Sequence, residues 1–415
     1  MADIEVHVDF AAGLKRVGVI HRHARRGREA ISFEYHNTWL EDPARFSLEP
    51  ALSLSRAAFV PNDGLPNFGS IGDSAPDTWG RRLMQRRERR QAQLEGRAVR
   101  PLQELDYLMG VSDISRLGAL RFRDVGSTQF QSPTSVGVPG LVDLGRLLQI
   151  TDRILRDQET DEDLQLIFAP GSSLGGARPK ASVMDQHGQL SIAKFPKETD
   201  EYSIELWEFI AMTLARRAGL LTADCELLRV AARPVLLSRR FDRIGPTRVP
   251  FLSALSMLGS KDGERRSYPE MVDALVAQGA RAKADSRELF RRVLFNVLIS
   301  NVDDHLRNHG FLWAGPEGWT LSPMYDLNPT PTDVRPRILT TNISLDEGTC
   351  DLDLVLSTAE FFGFNLQDAR RMAQEVASAT AGWRGVAAQS GAGKNEIDRM
   401  ASAFEHNDLS RALAL

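Results

Sequence analysis

The sequence predicts an α+β chain that is rich in strands at its N-terminal end and almost entirely helical at its C-terminal end. Within residues 1–60, the stretches IEVHV, RVGVIHR and EAISFEYH alternate or are rich in β-branched and aromatic residues, and turns containing Gly13 and Gly27 separate them. From about residue 250 onwards, nearly every periodic segment has helical spacing, as in SRELFRRVLFNVLIS (286–300). This change of pattern indicates two lobes of different composition.

The overall composition is that of an ordinary soluble globular protein. Of the 415 residues, 42% are hydrophobic and 26% are charged, and the formal net charge of −4 excludes a uniformly basic nucleic-acid coat. No apolar run approaches the roughly 20 residues that span a bilayer, and the N-terminal MADIEVHVDF is too acidic for a signal peptide. Cys225 and Cys350 are too few for a disulfide framework or a Cys-rich zinc site. We therefore expect a cytoplasmic protein that does not interact with a membrane.

A segment rich in Gly, Ser, Thr and Pro, GSTQFQSPTSVGVPG (126–140), is the clearest linker in the chain. It separates an N-terminal subdomain over residues 1–125 from a mixed α/β lobe over residues 141–246. The segment IGPTRVP (244–250) is predicted to be the hinge to the helical lobe, which covers residues 247–415.

The N-terminal subdomain contains the most one-sided charge in the sequence. A helical region is predicted from about Asp77 to Met109, and its run RRLMQRRERRQAQLEGRAVR (81–100) has eight Arg against two Glu. The run is either the solvated face of an amphipathic helix or a docking face for an acidic partner, a tRNA-bound target or operator DNA. The segment GALRF (118–122) is predicted to be a closing strand.

The mixed lobe is predicted to contain a helix, a Gly-rich loop, a β-hairpin, a second helix and two further strands, in that order. These elements are LVDLGRLLQITDRIL (141–155), GSSLGGARPK (171–180), KASVMD with QLSIAKFP around Gly188, SIELWEFIAMTLARRAG (203–219), and CELLRV with PVLLSRRFDR.

The Gly-rich loop and the strand after it have residues that suit a phosphate group. Glycines let backbone N–H groups approach phosphate oxygens closely, although a tight hairpin loop would need the same residues. The loop is not a P-loop, because Lys180 is followed by a strand pattern. Lys194 lies on a predicted strand of a chain with seven lysines and 44 arginines, which suggests that a compact ammonium is needed there. An edge-strand lysine is the alternative, and Glu208, or else Glu205, is the candidate to orient Lys194.

The segment NVDDHLRN (301–308) is the most specific motif. Asp303 and Asn308 are five residues apart, which is the D-x-x-x-x-N spacing of phosphotransferase catalytic loops. The aspartate would accept or orient a substrate hydroxyl, and the asparagine amide oxygen would hold Mg²⁺. Asp326 follows 18 residues later in SPMYDLNP, after the strand-like FLWAG and WTLSP, and would be a second Mg²⁺ ligand.

Two alternatives apply to this motif. Asp303 and Asp304 could simply be capping carboxylates in the loop after a helix. Together with His305 and Asp326, they could also form a divalent-metal hydrolase site. The ordered combination of the Gly-rich loop, Lys194, Asp303, Asn308 and Asp326 favours phosphoryl transfer from ATP.

Five of these segments together resemble the HipA family of bacterial serine/threonine kinase toxins: SSLGGARPK, AKFP, LSRRFDR, NVDDHLRN and MYDLNP. The upstream segments FGSIGDSAPDTWGRRL (68–83) and DYLMGVSDISRLGALRF (106–122) resemble the N-terminal region of the same family. The resemblance therefore implies a two-lobed, protein-kinase-like fold, with an extra N-terminal subdomain before a mixed α/β lobe and an all-α C-terminal lobe.

The resemblance also implies roles for individual residues. Asp303 matches the catalytic aspartate, Asn308 and Asp326 match the Mg²⁺ ligands, and Lys194 matches the lysine that contacts the ATP phosphates. Ser173 matches a loop serine whose autophosphorylation silences the kinase, although Ser172 is a possible acceptor. The full set expected to bind ATP is Lys194, Ser173, Leu174, Gly175, Gly176, Lys180, Arg239, Phe241 and His305, with the segment from Arg239 to Phe241 contacting adenine through its backbone.

The family further implies a toxin whose partner is a small helix-turn-helix antitoxin that binds operator DNA. The expected substrate is a protein, with an aminoacyl-tRNA synthetase as one candidate, and phosphorylation of the target would arrest growth. Two alternatives stay open. The chain could be a pseudokinase that acts as a corepressor with its DNA-binding partner, or a phosphotransferase that acts on small molecules.

Overall fold

The computed structural model describes residues 3–25, 28–62, 64–131, 137–168 and 176–415. Part of the predicted linker, residues 132–136, lies outside the described residues, as do Ser172, Ser173, Leu174 and Gly175 of the predicted Gly-rich loop. The chain divides into two compact units, which are described separately below. The first unit comprises Met1–Thr199 and Leu228–Lys261, and the second comprises Asp200–Leu227 and Asp262–Leu415.

The first unit begins with a five-stranded antiparallel sheet in the order β4-β3-β2-β1-β5. Its strands are β1 (Ile4–Phe10), β2 (Gly13–Arg25), β3 (Arg28–Tyr35), β4 (Ala58–Phe59) and β5 (Leu120–Asp124). The three predicted N-terminal strands are confirmed, and β5 closes the sheet against β1, as GALRF predicts. Gly13 permits the turn between β1 and β2 because its φ of 85° is left-handed.

A second sheet has four strands in the order β6-β7-β9-β8. They are β6 (Lys180–Met184), β7 (Leu190–Lys194), β8 (Cys225–Val230) and β9 (Arg233–Arg239), and the division between the two units falls within β8. The predicted hairpin around Gly188 is confirmed, since β6 and β7 are antiparallel and pair Lys180 with Lys194. The register of β7 and β9 places Ser191 opposite Arg239.

Seven helices are described in the first unit, and three of them cover the second sheet. They are α1 (Asn37–Glu41), α2 (Gly69–Asp73), α3 (Thr78–Leu94), α4 (Glu104–Met109), α5 (Leu144–Leu155), α6 (Asp161–Phe168) and α8 (Ala254–Met257). The core contains apolar side chains of α3, α5 and α6 together with those of β6, β7 and β9. The arginine-rich helix α3 therefore packs its apolar face into the same core as the sheet that carries Lys180 and Lys194.

The predicted hinge IGPTRVP lies within the first unit, which continues to Lys261. Its residues belong to a tight hairpin of β10 (Arg243–Ile244) and β11 (Thr247–Arg248), whose turn contains Gly245 with a φ of 58°. The short strand β12 (Phe251–Ser253) then leads into α8.

The second unit is mainly helical. Its helices are α7 (Ile204–Arg217), α9 (Tyr268–Gln278), α10 (Ala282–Leu298), α11 (Leu352–Ser357), α12 (Leu366–Thr380), α13 (Trp383–Gln389), α14 (Lys394–Arg399), α15 (Ala401–Phe404) and α16 (Asn407–Leu413). The two segments predicted to be strand-like form a hairpin of β13 (Gly310–Trp313) and β14 (Trp319–Leu321). The C-terminal part of α10 is almost completely buried, so the loop that follows it starts from a fixed point.

Within the described parts of the chain, no helix combines the length and the apolar character that crossing a membrane would require.

Candidate active site

The loop that follows α10 carries the D-x-x-x-x-N motif. After the helix, Ser300 adopts a left-handed φ of 52°, which is unusual for a residue with a Cβ atom. The backbone then turns sharply, with Asn301 N donating to Asn296 O and Asn308 N donating to His305 O, at 2.9 and 2.8 Å. This turn brings both ends of the motif together.

Asp303 and Asn308 contact each other through the backbone of the aspartate. Asn308 Nδ2 donates to Asp303 O at 3.1 Å, and the Asn308 side chain is buried. Asn308 Oδ1 is also buried and accepts no hydrogen bond from any described residue. By contrast, the Asp303 carboxylate is 55% exposed and accepts a hydrogen bond from Arg335 Nη1 at 2.9 Å. The motif therefore presents one solvent-facing carboxylate and one buried amide oxygen that lacks a donor.

Asp326 has a left-handed backbone with a φ of 60°. Aspartate tolerates this region better than most residues with a Cβ atom, and such strain clusters at functional sites. Asn328 Nδ2 donates to Asp326 Oδ1 and to Asp326 O, both at 3.2 Å. Two hydrogen bonds flank the aspartate and join its segment to the D-x-x-x-x-N loop: Asn328 N donates to Asn301 Oδ1 at 3.0 Å, and Tyr325 Oη donates to Arg307 O at 2.7 Å.

A network that we call the polar relay lies behind the loop and consists of four buried residues, Asp304, Tyr268, Asn296 and Asn301, and the half-buried Asn328. Tyr268 Oη donates to Asp304 Oδ2, and Asn296 Nδ2 donates to Tyr268 Oη at 3.3 Å. Asn301 Nδ2 donates to Asn296 Oδ1 at 3.1 Å. Together with the bond between Asn328 and Asn301, these contacts run without a gap from Asp304 to the Asp326 segment.

The protonation of Tyr268 follows from its burial. Burial and the negative charge of Asp304 raise the pKa of Tyr268 well above its ordinary value, so the phenol remains a donor. His309 Nε2 lies 2.9 Å from the same Asp304 carboxylate, which accepts a hydrogen bond from the ring N–H. Asp304 therefore stabilises the loop from its buried side, whereas its neighbour Asp303 faces solvent.

His305 begins the short 3₁₀ turn Leu306–Asn308 and is half-buried. Its Nδ1 atom is buried and has no hydrogen-bond partner among the described residues. The predicted contact of His305 with ATP stays a prediction. Across the described residues, no three or more His, Cys, Asp or Glu side chains form a group that could hold a metal ion, so the hydrolase alternative has no such group there.

In the first unit, Lys194 ends β7 and is half-buried, opposite Lys180 in the hairpin. Lys180 is almost completely buried, and its Nζ lies 2.7 Å from Asp77 Oδ2 and 3.4 Å from Gly176 O. Gly176, the first described residue after the gap, has a φ of 83°. The ammonium of Lys180 therefore already contacts a carboxylate at the base of the predicted phosphate loop.

The segment predicted to contact adenine starts at the end of β9. Arg239 is exposed, while Arg240 N donates to Leu190 O at 3.0 Å, so this N–H is already bonded within the first unit. Phe241 packs beside Phe251, with ring centroids 6.3 Å apart. The role of Arg239 and Phe241 in adenine binding stays a prediction.

Asp242 anchors this segment, a function that the sequence motif LSRRFDR does not reveal. Its carboxylate is completely buried and accepts hydrogen bonds from Arg240, Arg243 and the backbone N of Gly118, at 2.5 to 2.7 Å. Burial alone would raise the pKa of Asp242, but the guanidinium groups of Arg240 and Arg243 outweigh it and hold the pKa at about 2.

Glu205 and Glu208, the candidates to orient Lys194, both lie in α7 and are buried. Their helix belongs to the second unit, whereas Lys194 belongs to the first. The choice between them stays a prediction.

Comparison with known proteins gives two matches to family models. The model for the HipA-like C-terminal domain matches residues 172–383, and the model for the HipA N-terminal domain matches residues 8–128. The first match includes Lys194, Asp303, Asn308 and Asp326. Together the two matches cover most of the chain.

Curated relatives and solved structures agree with these matches. The protein Y4mE of Sinorhizobium fredii, whose name carries the word kinase, is 25% identical over 72% of this chain and 71% of its own length. The serine/threonine-protein kinase toxin HipA of Shewanella oneidensis is 26% identical over 54% of this chain and 59% of its own. A solved complex of HipA, HipB and operator DNA from Shewanella oneidensis MR-1 contains a chain that matches with a TM-score of 0.68 and 17% identity, over 99% of this chain and 96% of that one.

The structural match confirms the predicted fold class, a two-lobed kinase-like fold with an added N-terminal subdomain. The relatives named as kinases support a kinase. Because the C-terminal domain model alone matches more than half of the chain and the N-terminal domain model matches a further stretch, the chain belongs to the HipA family.

Proposed function

We propose that this chain is a Mg·ATP-dependent serine/threonine protein kinase that acts as the toxin of a toxin–antitoxin module. The observation that carries the proposal is the pairing of Asp303 and Asn308. One side chain offers an exposed carboxylate, and the other offers a buried amide oxygen without a donor. A phosphotransferase catalytic loop needs both groups.

The oxygen atoms of Asn308 and Asp326 suit Mg²⁺. An amide oxygen and a carboxylate are hard ligands of the kind that magnesium prefers, and a metal ion would satisfy Asn308 Oδ1. When bound, the ion would neutralise charge on the β- and γ-phosphates. Asn328 and the polar relay would orient Asp326 toward it.

Asp303 is the proposed catalytic residue. A substrate serine or threonine oxygen would attack the γ-phosphorus as the bond to ADP breaks, and Asp303 would orient that hydroxyl and receive its proton. The exposure of the carboxylate leaves it accessible to a hydroxyl of another protein. The hydrogen bond from Asn308 to Asp303 O would hold the catalytic aspartate and the proposed Mg²⁺ ligand in fixed positions relative to each other.

For ATP itself, we propose that Lys194 contacts the phosphates and that backbone N–H groups of the Gly-rich loop surround them. Lys180, whose ammonium contacts Asp77, would hold the base of the loop. Arg239, Phe241 and His305 complete the proposed nucleotide contacts.

The proposed biological role rests on the relatives. The HipA of Shewanella oneidensis is named as a toxin, and the matched structure contains HipB and operator DNA. We therefore propose a helix-turn-helix antitoxin as partner, operator DNA bound through it, and a cytoplasmic protein target such as an aminoacyl-tRNA synthetase. Autophosphorylation at Ser173, or at Ser172, would switch the kinase off.

Mass spectrometry after incubation with Mg·ATP tests the kinase. We expect phosphate on Ser173 or Ser172 in the wild type and none in Asp303→Asn, which keeps the size of the side chain but removes its negative charge. Addition of the co-expressed antitoxin and of candidate protein targets extends the same assay. ATP binding without transfer to any protein would favour the pseudokinase, transfer to metabolites alone would favour the small-molecule enzyme, and failure to bind ATP would refute the proposal.

A further inference from the structure

A cavity of about 360 Å³ lies in the first unit, beside the turn of the β6–β7 hairpin and the β10–β11 hairpin. Its volume is within the range of roughly 300–1,000 Å³ in which proteins bind small ligands. Met184 and Leu190, which pair at the turn end of β6 and β7, supply an apolar wall. Four arginines also line the cavity, namely Arg239, Arg240, Arg243 and Arg248. None of the described residues that line it is acidic.

Two of these arginines lie opposite each other in one hairpin. Arg243 of β10 pairs directly with Arg248 of β11, and both side chains are nine-tenths buried. Like charges directly opposite each other in an antiparallel pair are destabilising. Such a pair needs negative charge nearby, either from the protein or from a ligand.

The protein supplies part of this negative charge through Asp242. Its carboxylate accepts hydrogen bonds from Arg240 Nε at 2.6 Å and from Arg243 Nη1 at 2.7 Å, so one carboxylate serves two guanidinium groups. Burial outweighs the effect of Asp242 and lowers the pKa of Arg243 to about 9, and the charges of two other arginines contribute to the shift. The cluster therefore carries more positive charge than Asp242 balances.

Arg248 has a donor without an acceptor. Its Nη2 donates to Asp113 O at 2.9 Å and to Asp113 Oδ2 at 3.0 Å, and the same carboxylate accepts from Arg121 Nη2 at 2.6 Å. Arg121 is also paired with Asp9. Nη1 of Arg248 is buried and has no acceptor among the described residues. Because buried donors are almost always satisfied in native proteins, an acceptor from a ligand in the cavity would complete the bonding of Arg248.

The cavity is separate from the positions proposed for the ATP phosphates. In the β6–β7 hairpin, Lys180 pairs with Lys194 at one end, and Met184 pairs with Leu190 at the other. Four residues of strand separate the two ends, which corresponds to about 13 Å. Of the described residues expected to bind ATP, Arg239 alone lines the cavity, and its expected contact with adenine is made by the backbone.

We propose that this cavity binds a small organic phosphate, with the phosphate held by Arg243 and Arg248 and the carbon skeleton packed against Met184 and Leu190. A phosphate monoester carries nearly two negative charges and has three acceptor oxygens, so it can satisfy two guanidinium groups at once. A carboxylate offers one charge and two oxygens. The apolar wall favours a ligand that carries a ring or a hydrocarbon over inorganic phosphate. The inference goes beyond the proposed kinase function and does not depend on it, since no residue of the D-x-x-x-x-N loop takes part.

Isothermal titration calorimetry of the full chain tests the ligand class. The probe is phenyl phosphate at about pH 7.5, where a phosphate monoester is mostly dianionic, and the comparisons are phenylacetate and inorganic phosphate. We expect phenyl phosphate to bind at least about tenfold more tightly than either comparison, because only it offers both the charge and the apolar ring. Equal affinity for phenylacetate would refute the assignment to phosphate, and equal affinity for inorganic phosphate would refute the apolar part. Absence of binding would overturn the inference as a whole.

A substitution in the cavity tests the location. Arg248→Gln removes one of the two proposed phosphate ligands, so the Kd for phenyl phosphate should rise at least about tenfold. The matched control is Arg156→Gln, since Arg156 is an exposed arginine of the same unit that pairs with Glu198. This control should keep the wild-type Kd, and equal Kd values in the two variants would contradict the proposal.

A second variant avoids the packing of the buried arginine. Gln189 is exposed and lines the cavity, so Gln189→Glu adds a negative charge at its edge without removing an arginine pair. We expect the Kd for phenyl phosphate to rise about fivefold or more through repulsion of the phosphate. Gln186→Glu adds the same charge at another exposed position of the same turn, which is not among the described lining residues, and should change the Kd less than about twofold. The same Kd in both glutamate variants would overturn the proposed location.

Lys194→Ala separates this cavity from the proposed ATP site. That variant should bind phenyl phosphate as the wild type does, while its affinity for ATP falls. If Lys194→Ala loses phenyl phosphate but Arg248→Gln and Gln189→Glu retain it, the probe binds at the proposed ATP site and the inference is wrong. If the wild type transfers no phosphate, the proposed kinase function fails, but the calorimetry still decides whether the cavity binds an organic phosphate.

Discussion

Replacing Asn301 by alanine should uncouple the D-x-x-x-x-N loop from the Asp326 segment. Asn301 is completely buried and makes two hydrogen bonds in the polar relay: its Nδ2 donates to Asn296 Oδ1, and its Oδ1 accepts from Asn328 N. Alanine removes both and leaves two polar groups without partners. Each buried polar group left unsatisfied costs about 1–3 kcal/mol. Because Asn328 is only half-buried, its N–H should cost less than the buried Asn296 oxygen. We therefore expect the free energy of unfolding to fall by about 2–4 kcal/mol in total.

The same change should weaken the proposed Mg²⁺ site. The bond from Asn328 N to Asn301 is one of the hydrogen bonds that join the Asp326 segment to the loop, and Asp326 is a proposed ligand. Loss of a group that orients a metal ligand typically costs about 10–100-fold in metal affinity. We therefore expect the Mg²⁺ concentration for half-maximal activity at saturating ATP to rise at least about tenfold.

The assay is a Mg²⁺ titration of the phosphorylation rate, together with urea unfolding of the same samples. The matched control is Asn342→Ala, because Asn342 is also a buried asparagine of the second unit. Among the described residues, its side chain makes one long hydrogen bond, to Leu345 O at 3.5 Å. If Asn301→Ala loses stability but keeps the wild-type Mg²⁺ dependence, the polar relay is structural and our reasoning about Asp326 is wrong.

Two further predictions concern charge and stability. Burial, and then the charge of Arg337, lower the pKa of His406 to about 4. Because the unfolded chain binds a proton at this histidine near its ordinary, higher pKa, lowering the pH favours the unfolded chain. We expect the free energy of unfolding to fall by about 2 kcal/mol between roughly pH 7 and pH 5. His406→Gln should flatten this loss in unfolding curves, and an unchanged slope would exclude His406 as its source. Asp242→Asn should cost about 3–5 kcal/mol, because it leaves the buried guanidinium of Arg240 without its counter-charge. Glu34→Gln, at an exposed strand position, should cost under about 0.5 kcal/mol in the same urea titration, and equal costs would contradict the argument.

The sequence predicted those structural elements that depend on residues close together in the chain. The hairpin around Gly188 and the D-x-x-x-x-N loop could be read from neighbouring residues, because turn chemistry and helix periodicity act over a few positions. Helix α6 was not predicted, since its eight residues give too short a periodic stretch.

In each unit, the contacts around the candidate residues join positions that are distant in the sequence. Tyr268 and Asp304 are 36 positions apart, and Asp77 and Lys180 are 103 apart. No spacing rule connects such pairs, because they meet only when separate elements pack together. Asp304 and the arginine-rich run stood out in the sequence. The phenol that bonds to Asp304 and the carboxylates that pair with the arginines could be identified only from the fold.

The apolar core of the first unit limits how this protein can be truncated. The two family models match separate stretches, residues 8–128 and 172–383, as if each were a module. Trp79, Leu83 and Met84 of the first stretch are nevertheless buried in one apolar cluster with side chains of β6, β7 and β9 from the second. A chain truncated to begin after residue 128 would lose these three side chains from the apolar cluster that covers the sheet carrying Lys194, so we expect the two stretches to fold stably only when they are expressed together.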